Sequence, residues 1–122
     1  MTPTRTILVI DDDPGLLRLL SVVFRAEGFI VQTFDDPQPA LEWLATAAQP
    51  DAVVLDLRMP EMDGRSFYRE MRGRGFNAPV VIASAFGAKE AREELGADAS
   101  IGKPFHPDDL VRVVRGVFAT DA

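Results

Sequence analysis

The sequence predicts an α/β fold in which a parallel sheet of five strands is covered by helices on both faces. Five short apolar segments alternate along the chain with five segments whose apolar residues recur at helical spacing. The clearest apolar run, Val53 to Leu55, contains no polar residue, which is typical of a strand buried on both faces of a parallel sheet. Strands and helices that alternate in this way pack as a three-layer sandwich.

The first half of the chain carries helix start and stop signals between its apolar segments. Asp13 and Pro14 suit the N-cap and the first turn of a helix, and Gly28 suits its end. Asp36 and Pro37 open a second helix in the same way. The predicted elements are, in order, a strand at Ile7–Ile10, a helix from Pro14 to the stop at Gly28, a strand at Phe29–Phe34, a helix from Pro37 through Ala47 and a strand at Ala52–Leu55.

The second half of the chain continues the alternation with shorter elements. Phe67, Tyr68 and Met71 mark a third helix, which Gly73 and Gly75 end. The later predicted elements are, in order, a strand at Val80–Ala83, a short and mostly polar helix at Lys89–Leu95, a weak strand at Ala99–Ile101 and a helix from Pro107 through Val117.

The length and composition favour one globular domain over residues 1–122, with 47% hydrophobic and 26% charged residues. The absence of cysteine excludes disulfides and thiolate metal sites and is compatible with a reducing compartment. A formal charge of −6 argues against nucleic-acid binding through a basic face. The longest apolar stretch, Leu16–Phe24, is too short to span a bilayer, and Met1–Thr6 lacks the apolar core of a signal peptide. We therefore expect a cytoplasmic module that meets proteins or cations, without a membrane or nucleic-acid partner.

Polar residues follow the ends of four predicted strands: Asp11 and Asp12, Asp56, Ser84 and Lys103. Neighbouring strands lie about 5 Å apart, so the three carboxylates converge if the first strand pairs with the third. Ionised carboxylates this close repel one another, and either their pKa values rise or a cation neutralises them. Oxygen ligands favour Mg²⁺. Together with a hydroxyl and an ammonium group, the set predicts a phosphoryl-transfer site with Asp56 as the nucleophile.

Five motifs lie at the predicted strand ends in a fixed order: Asp11–Asp13, Leu55–Gly64, Ser84–Ala85, Gly96–Asp98 and Lys103–Phe105. Together they make the chain resemble a two-component response-regulator receiver domain of the CheY-like family over essentially its whole length. The resemblance implies a flavodoxin-like fold with strand order 2-1-3-4-5. It also implies a phosphoacceptor signalling domain rather than an enzyme. Such a domain accepts a phosphoryl group from a histidine kinase or histidine phosphotransferase and then switches conformation toward an output partner or effector domain.

The resemblance also implies roles for individual residues. Asp56 would be the phosphoacceptor, and Ser84 and Lys103 would contact the phosphoryl oxygens, with the Lys103–Pro104 peptide bond in the cis form. Arg58 and Phe86 would occupy variable positions that influence the lifetime of the phosphoryl group. The protein would be a monomer or a phosphorylation-dependent dimer. The implied Mg²⁺ ligands are Asp11 through water, Asp12, Asp56 and the backbone carbonyl of Arg58.

Two features depart from the family pattern. The segment from Ser84 to Gly96 is about one turn shorter than usual, so we expect a short or irregular fourth helix. Ser100 stands where the family usually has Tyr or Phe in the fifth strand. We therefore expect phosphorylation to alter residues 84–95, with little side-chain change at Ser100. We also expect Lys103, as a single charge at a solvent-exposed strand end, to add little to stability.

Two alternatives from other classes stay open. A phosphatase of the haloacid-dehalogenase type also uses an aspartate nucleophile, but it needs a second Asp two positions later, where this chain has Arg58. A pseudo-receiver that acts only as a protein-binding module is disfavoured by the complete set of strand-end residues. Failure to bind Mg²⁺ would favour it.

Overall fold

The computed structural model describes residues 4–46, 49–59 and 62–119. Within these ranges five strands alternate with five helices, as the sequence predicts. The elements are β1 (Thr6–Ile10), α1 (Pro14–Ala26), β2 (Ile30–Phe34), α2 (Pro37–Leu44), β3 (Ala52–Leu55), α3 (Gly64–Gly73), β4 (Val80–Ser84), α4 (Ala88–Leu95), β5 (Ala99–Gly102) and α5 (Pro107–Ala119).

The strands form one parallel sheet in the order β2-β1-β3-β4-β5, which confirms the predicted order. Ile10 at the end of β1 lies opposite Phe34 of β2 on one side and Leu55 of β3 on the other. Ser84 at the end of β4 lies opposite Gly102 of β5. All five strands therefore end at the same edge of the sheet.

Helices cover both faces of the sheet, and each face has its own apolar core. Along β1 the side chains alternate between the two. Ile7 and Val9 pack with residues of α1 and α5, whereas Leu8 and Ile10 pack with residues of α2, α3 and α4. Burying one side chain of this size contributes about 1.5–3 kcal/mol. Burial on both faces explains the unbroken apolar runs of the central strands, Ile7–Ile10, Ala52–Leu55 and Val80–Ala83.

The predicted starts of α1 and α2 are confirmed, but the start of the second strand is not. Asp13 and Asp36 cap α1 and α2 with their side chains. Phe29, predicted as part of the strand, instead donates its N–H to the carbonyl of Phe24 at 3.1 Å and so belongs to the end of α1. Gly28, with φ of 94°, makes this closing turn without steric cost. The strand consequently starts one residue later than its apolar pattern suggested.

Other boundaries differ slightly from the prediction, where the hydrogen bonds between strands or a helical turn extend beyond the apolar residues of a segment. β1 and α4 each begin one residue earlier than predicted, and β4 and β5 each include one more residue at their carboxyl end. The prediction that the second helix runs through Ala47 is wrong, because α2 ends at Leu44 and residues 45 and 46 form a turn; Ala47 itself lies outside the described residues. Across these described ranges, every helix is too short or too polar to cross a bilayer.

Candidate functional site

The candidate site lies at the carboxyl edge of the sheet, and backbone hydrogen bonds fix its residues. The Asp56 N–H donates to the carbonyl of Ile10 at 3.0 Å, which places Asp56 beside Asp11. The Lys103 N–H donates to the carbonyl of Ser84 at 2.9 Å. The sheet itself therefore brings together residues that are up to 92 positions apart in sequence.

Three carboxylates converge at this edge, as predicted. Asp11, Asp12 and Asp56 each offer a carboxylate oxygen, and these three oxygens lie within 4.8 Å of one another. Asp11 and Asp56 are only 3% and 4% exposed, whereas Asp12 is open to solvent. Buried carboxylates need pairing, and a set of hard oxygen ligands with one exposed member suits a cation that keeps part of its water shell. The cluster can therefore hold a metal ion.

Lys103 supplies the positive charge nearest to this cluster. Its Nζ lies 2.6 Å from Oδ2 of Asp11 and 3.6 Å from Oδ1 of Asp56. The other oxygen of Asp11 accepts the N–H of Asp13 at 3.0 Å. The Lys103 side chain is only 20% exposed, so the expectation of a solvent-exposed single charge is wrong. Lys103 directly follows β5, and its side chain lies against the buried carboxylates. The sequence predicted its place in the site but not its low exposure.

The surroundings of Asp56 raise its pKa from 3.8 to about 6. Burial is the main cause, because a low-dielectric environment disfavours the ionised carboxylate. Repulsion from Asp11 adds to it, and Asp12 contributes less. Attraction to Lys103 and a backbone hydrogen bond from Arg58 act in the opposite direction. One lysine thus leaves the carboxylate cluster with uncompensated negative charge.

Ser84 lies at the site, but its hydroxyl is engaged with the following loop. Ser84 is 2% exposed, and its Oγ donates to the carbonyl of Phe86 at 3.0 Å while accepting the Phe86 N–H at 3.4 Å. The Phe86 ring is 67% exposed, and the guanidinium carbon of Arg58 lies 4.8 Å from its centroid. An open cavity of about 580 Å³ adjoins these groups; its lining includes Asp12, Arg58, Arg65, Ser84 and Phe86.

Gly64 allows α3 to start directly against the loop that carries Asp56. A Cβ at this position would collide with the backbone carbonyl oxygen of Asp56. The Gly64 N–H donates to the carbonyl of Leu57 at 2.9 Å, and Asp63 caps the helix by accepting the Ser66 N–H at 2.8 Å. Asp63 and Gly64 therefore hold the loop that carries Asp56 in place.

Some contacts at the site were not predicted. Arg65 of α3 donates from Nε to Oε2 of Glu94 in α4 at 2.8 Å and so joins the site cavity to the short helix. Neither charge stands out in the sequence, because the two residues are brought together only by the packing of α3 and α4. The Lys103–Pro104 peptide bond is cis, as the resemblance implied.

Comparison with known proteins decides the family. A family model described as the response regulator receiver domain matches residues 7–115. The chain belongs to this family. It is therefore a response regulator receiver domain of two-component systems, with the fold that the sequence predicted.

Individual relatives are similar along nearly the whole receiver domain. The chain is 36% identical over 118 residues to the regulatory protein AtoC of Escherichia coli, a match that covers 94% of this chain and 25% of AtoC. The Francisella response regulator 1452 receiver domain has a TM-score of 0.86 at 30% identity, covering 98% of this chain and 100% of that chain. A BeF3-activated DrrB receiver domain has a TM-score of 0.81 at 25% identity, with 96% and 99% covered. The receiver spans a quarter to a half of the length of the curated relatives that it matches.

Proposed function

We propose that Asp56 accepts a phosphoryl group from the phosphohistidine of a histidine kinase or histidine phosphotransferase. The domain then switches conformation and signals to an output partner or effector domain. One observation carries this proposal: a buried carboxylate at the end of the central strand lies 3.6 Å from the Lys103 ammonium and within 4.8 Å of two further carboxylates. This set supplies a nucleophile, oxygen ligands for a cation, and a positive charge for the phosphoryl oxygens.

In the transfer, one carboxylate oxygen of Asp56 forms a bond to phosphorus while the bond from phosphorus to the donor imidazole nitrogen breaks. The imidazole keeps the electron pair of that bond and takes a proton from solvent, and the product is an acyl phosphate. The nucleophile must be ionised. Because its pKa is raised only to about 6, most Asp56 carboxylates are ionised at neutral pH.

Lys103 and Ser84 act on the oxygens of the transferred group. The Lys103 ammonium lies close enough to Asp56 to reach a phosphoryl oxygen attached there, exchanging part of its contact with Asp11 for a charge-assisted hydrogen bond to that oxygen. Ser84 donates its hydroxyl proton to a second oxygen once that proton leaves the carbonyl of Phe86. Both interactions exist only with the phosphoryl group in place, so they favour the phosphorylated state.

The donor set of the site fits Mg²⁺, because it consists of carboxylate oxygens with one solvent-exposed member. Asp12 and Asp56 would bind the ion directly and Asp11 through water, and the backbone carbonyl of Arg58 would complete the protein ligands. When bound, Mg²⁺ neutralises the clustered carboxylates and the charge on the transferring oxygens.

The same site argues against turnover of an external substrate. Arg58 occupies the position that would hold the acid group of a haloacid-dehalogenase-type phosphatase. We therefore expect self-catalysed phosphorylation and slow autodephosphorylation. We further propose that residues 1–122 form one receiver domain in the cytoplasm, monomeric or dimeric after phosphorylation, without direct nucleic-acid or membrane binding.

The test is incubation with acetyl phosphate, followed by mass spectrometry of the intact protein and its peptides. We expect one adduct of phosphoryl mass on the peptide containing Asp56, formed in Mg²⁺ and not in EDTA. Asp56→Asn should abolish the adduct, whereas Asp35→Asn, at an exposed carboxylate outside the site, should leave it unchanged. An adduct that persists in Asp56→Asn would refute the assignment, and one that forms equally in EDTA would refute the metal requirement.

A further inference from the structure

A serine hydroxyl has one proton to donate, and here the Ser84 hydroxyl gives that proton to the carbonyl of Phe86 at 3.0 Å. The Phe86 N–H returns a hydrogen bond to the same oxygen at 3.4 Å. Ser84 therefore cannot donate to an oxygen on Asp56 while this pairing stays intact. Any hydrogen bond from Ser84 to a phosphoryl group releases the carbonyl of Phe86.

A second side-chain contact holds the ring of Phe86 at the same site. Arg58, two residues after Asp56, places its guanidinium carbon 4.8 Å from the ring centroid. Both side chains are exposed, and a cation–π contact at an exposed site is weak. A hydrogen bond from a guanidinium to a charged oxygen is stronger than such a contact. A phosphoryl dianion in the shared cavity can therefore draw the guanidinium away from the ring.

Phe86 also leads directly into α4. The next residue, Gly87, is the N-cap of this helix, has φ of 67°, and makes no side-chain capping hydrogen bond. Only Ala88 and Ala91 of the helix are buried. The start of α4 is therefore joined to Phe86 through the backbone of Gly87, and it packs on the core only through these two small side chains.

We propose that Phe86 is the residue whose position reports the phosphoryl state in this protein. In the unphosphorylated domain the Ser84 hydroxyl and the Arg58 guanidinium hold it, and phosphorylation engages both groups and releases the ring together with the start of α4. Ser100 in β5 carries no ring that could move in this way. The inference rests on the proposed role of Asp56, and it identifies Phe86 as the residue that transmits a change at Asp56 to α4.

Fluorine NMR of protein labelled with 4-fluorophenylalanine tests this inference without measuring turnover. The chain has eight phenylalanines, and Phe86→Leu assigns the signal of interest. Phe118, which stacks on Phe29 away from the site, serves as an internal control. Mg²⁺ and beryllofluoride provide a stable mimic of the phosphoryl group, whose bound form has its own fluorine signal. Occupancy of Asp56 and movement of Phe86 are thus observed separately.

We expect the Phe86 signal to shift when the bound beryllofluoride signal appears, while the Phe118 signal stays in place. Without the mimic, Ser84→Ala should already shift the Phe86 signal in the direction of the bound state, and the mimic should then move it little further. Arg58→Met should also shift the signal in the free protein, whereas Arg69→Met, an exposed arginine of α3, should not.

Two results would overturn the inference while leaving the proposed function intact. One is a bound beryllofluoride signal with an unmoved Phe86 signal. The other is a Phe86 signal in Ser84→Ala that matches the original protein both with and without the mimic. If no bound beryllofluoride signal appears, the proposed function of Asp56 fails, and this inference fails with it.

Discussion

Replacing Asp56 with Asn should stabilise the metal-free protein, although it removes the proposed phosphoacceptor. Burial and repulsion from Asp11 raise the pKa of Asp56 from 3.8 to about 6, so its ionised form costs the folded state free energy. An amide of the same size carries no charge and can still accept the backbone hydrogen bond from Arg58. The variant therefore relieves the electrostatic cost with little change in packing.

The size of the effect follows from the shift in the pKa of Asp56. A change from 3.8 to about 6 corresponds to about 3 kcal/mol, at about 1.4 kcal/mol for each pKa unit. The amide NH₂ of Asn needs a hydrogen-bond partner in a site arranged for a carboxylate, which offsets part of this gain. We expect the free energy of unfolding to rise by about 1–3 kcal/mol, or the Tm by roughly 3–12 °C.

The pH dependence of this difference has a definite direction. Because its pKa is raised on folding, Asp56 binds a proton more tightly in the folded state, and its contribution to stability falls as the pH rises from 3.8 to about 6. Asn has no such dependence. The advantage of the variant should therefore be complete at pH 7–8 and should disappear near pH 4.

Urea unfolding in EDTA at pH 8, 6 and 4 measures this difference, with Asp35→Asn as the exposed control. Adding Mg²⁺ should stabilise the original protein by about 2.7 kcal/mol at a concentration 100 times the Kd, and the variant by much less. The reasoning is refuted if Asp56→Asn is less stable than the original protein at pH 8 in EDTA. It is also refuted if the difference between them does not change with pH.

Three further predictions concern the surroundings of the site. Lys103→Met should lower the free energy of unfolding in EDTA by roughly 1–3 kcal/mol, since it leaves Asp11 buried without its ion pair; unchanged urea midpoints would contradict this. Gly64→Ala should cost about 1–3 kcal/mol and slow phosphorylation, because a Cβ would push the backbone of Asp56; unaltered phosphorylation kinetics would show that the loop tolerates the shift. Beryllofluoride should change hydrogen exchange across residues 85–95 and leave β5 nearly unchanged, and the reverse pattern would show that β5 carries the switch.

The backbone arrangement of the site was predictable because it depends on short-range patterns. Unbroken apolar runs placed β1 and β3 in the sheet interior, and the first polar residue after each run marked the edge where Asp11 and Asp56 lie. Proline and aspartate fixed the helix starts through the same local chemistry. Phe29 was misplaced because its apolar side chain fits either a strand or the closing turn of α1, and only the backbone hydrogen bond to Phe24 distinguishes them.

The side-chain contacts were less predictable because they join elements that are distant in sequence. The pairing of Lys103 with Asp11 depends on the direction of a lysine side chain at the end of β5. The contact between Arg58 and Phe86 depends on how two loops approach each other above the sheet. The residue types identified which side chains could make these contacts. Only the structure gives the short distances from Lys103 to Asp11 and Asp56, from which its expected contribution to stability follows.

The electrostatic cost at Asp56 and the proposed signalling function have the same physical origin. Folding of β1 and β3 forces three carboxylates to within 4.8 Å and leaves Lys103 as the nearest positive charge. Repulsion among the carboxylates therefore lowers the stability of the metal-free domain. A ligand that relieves this repulsion binds more tightly by the free energy that is recovered. In the proposed function, a cation removes the repulsion among the carboxylates, and a phosphoryl group on Asp56 then gives Lys103 and Ser84 new partners. Each ligand would thus redistribute hydrogen bonds and charges at the strand ends, and the loop around Phe86, which the Ser84 hydroxyl and the Arg58 guanidinium hold, would respond.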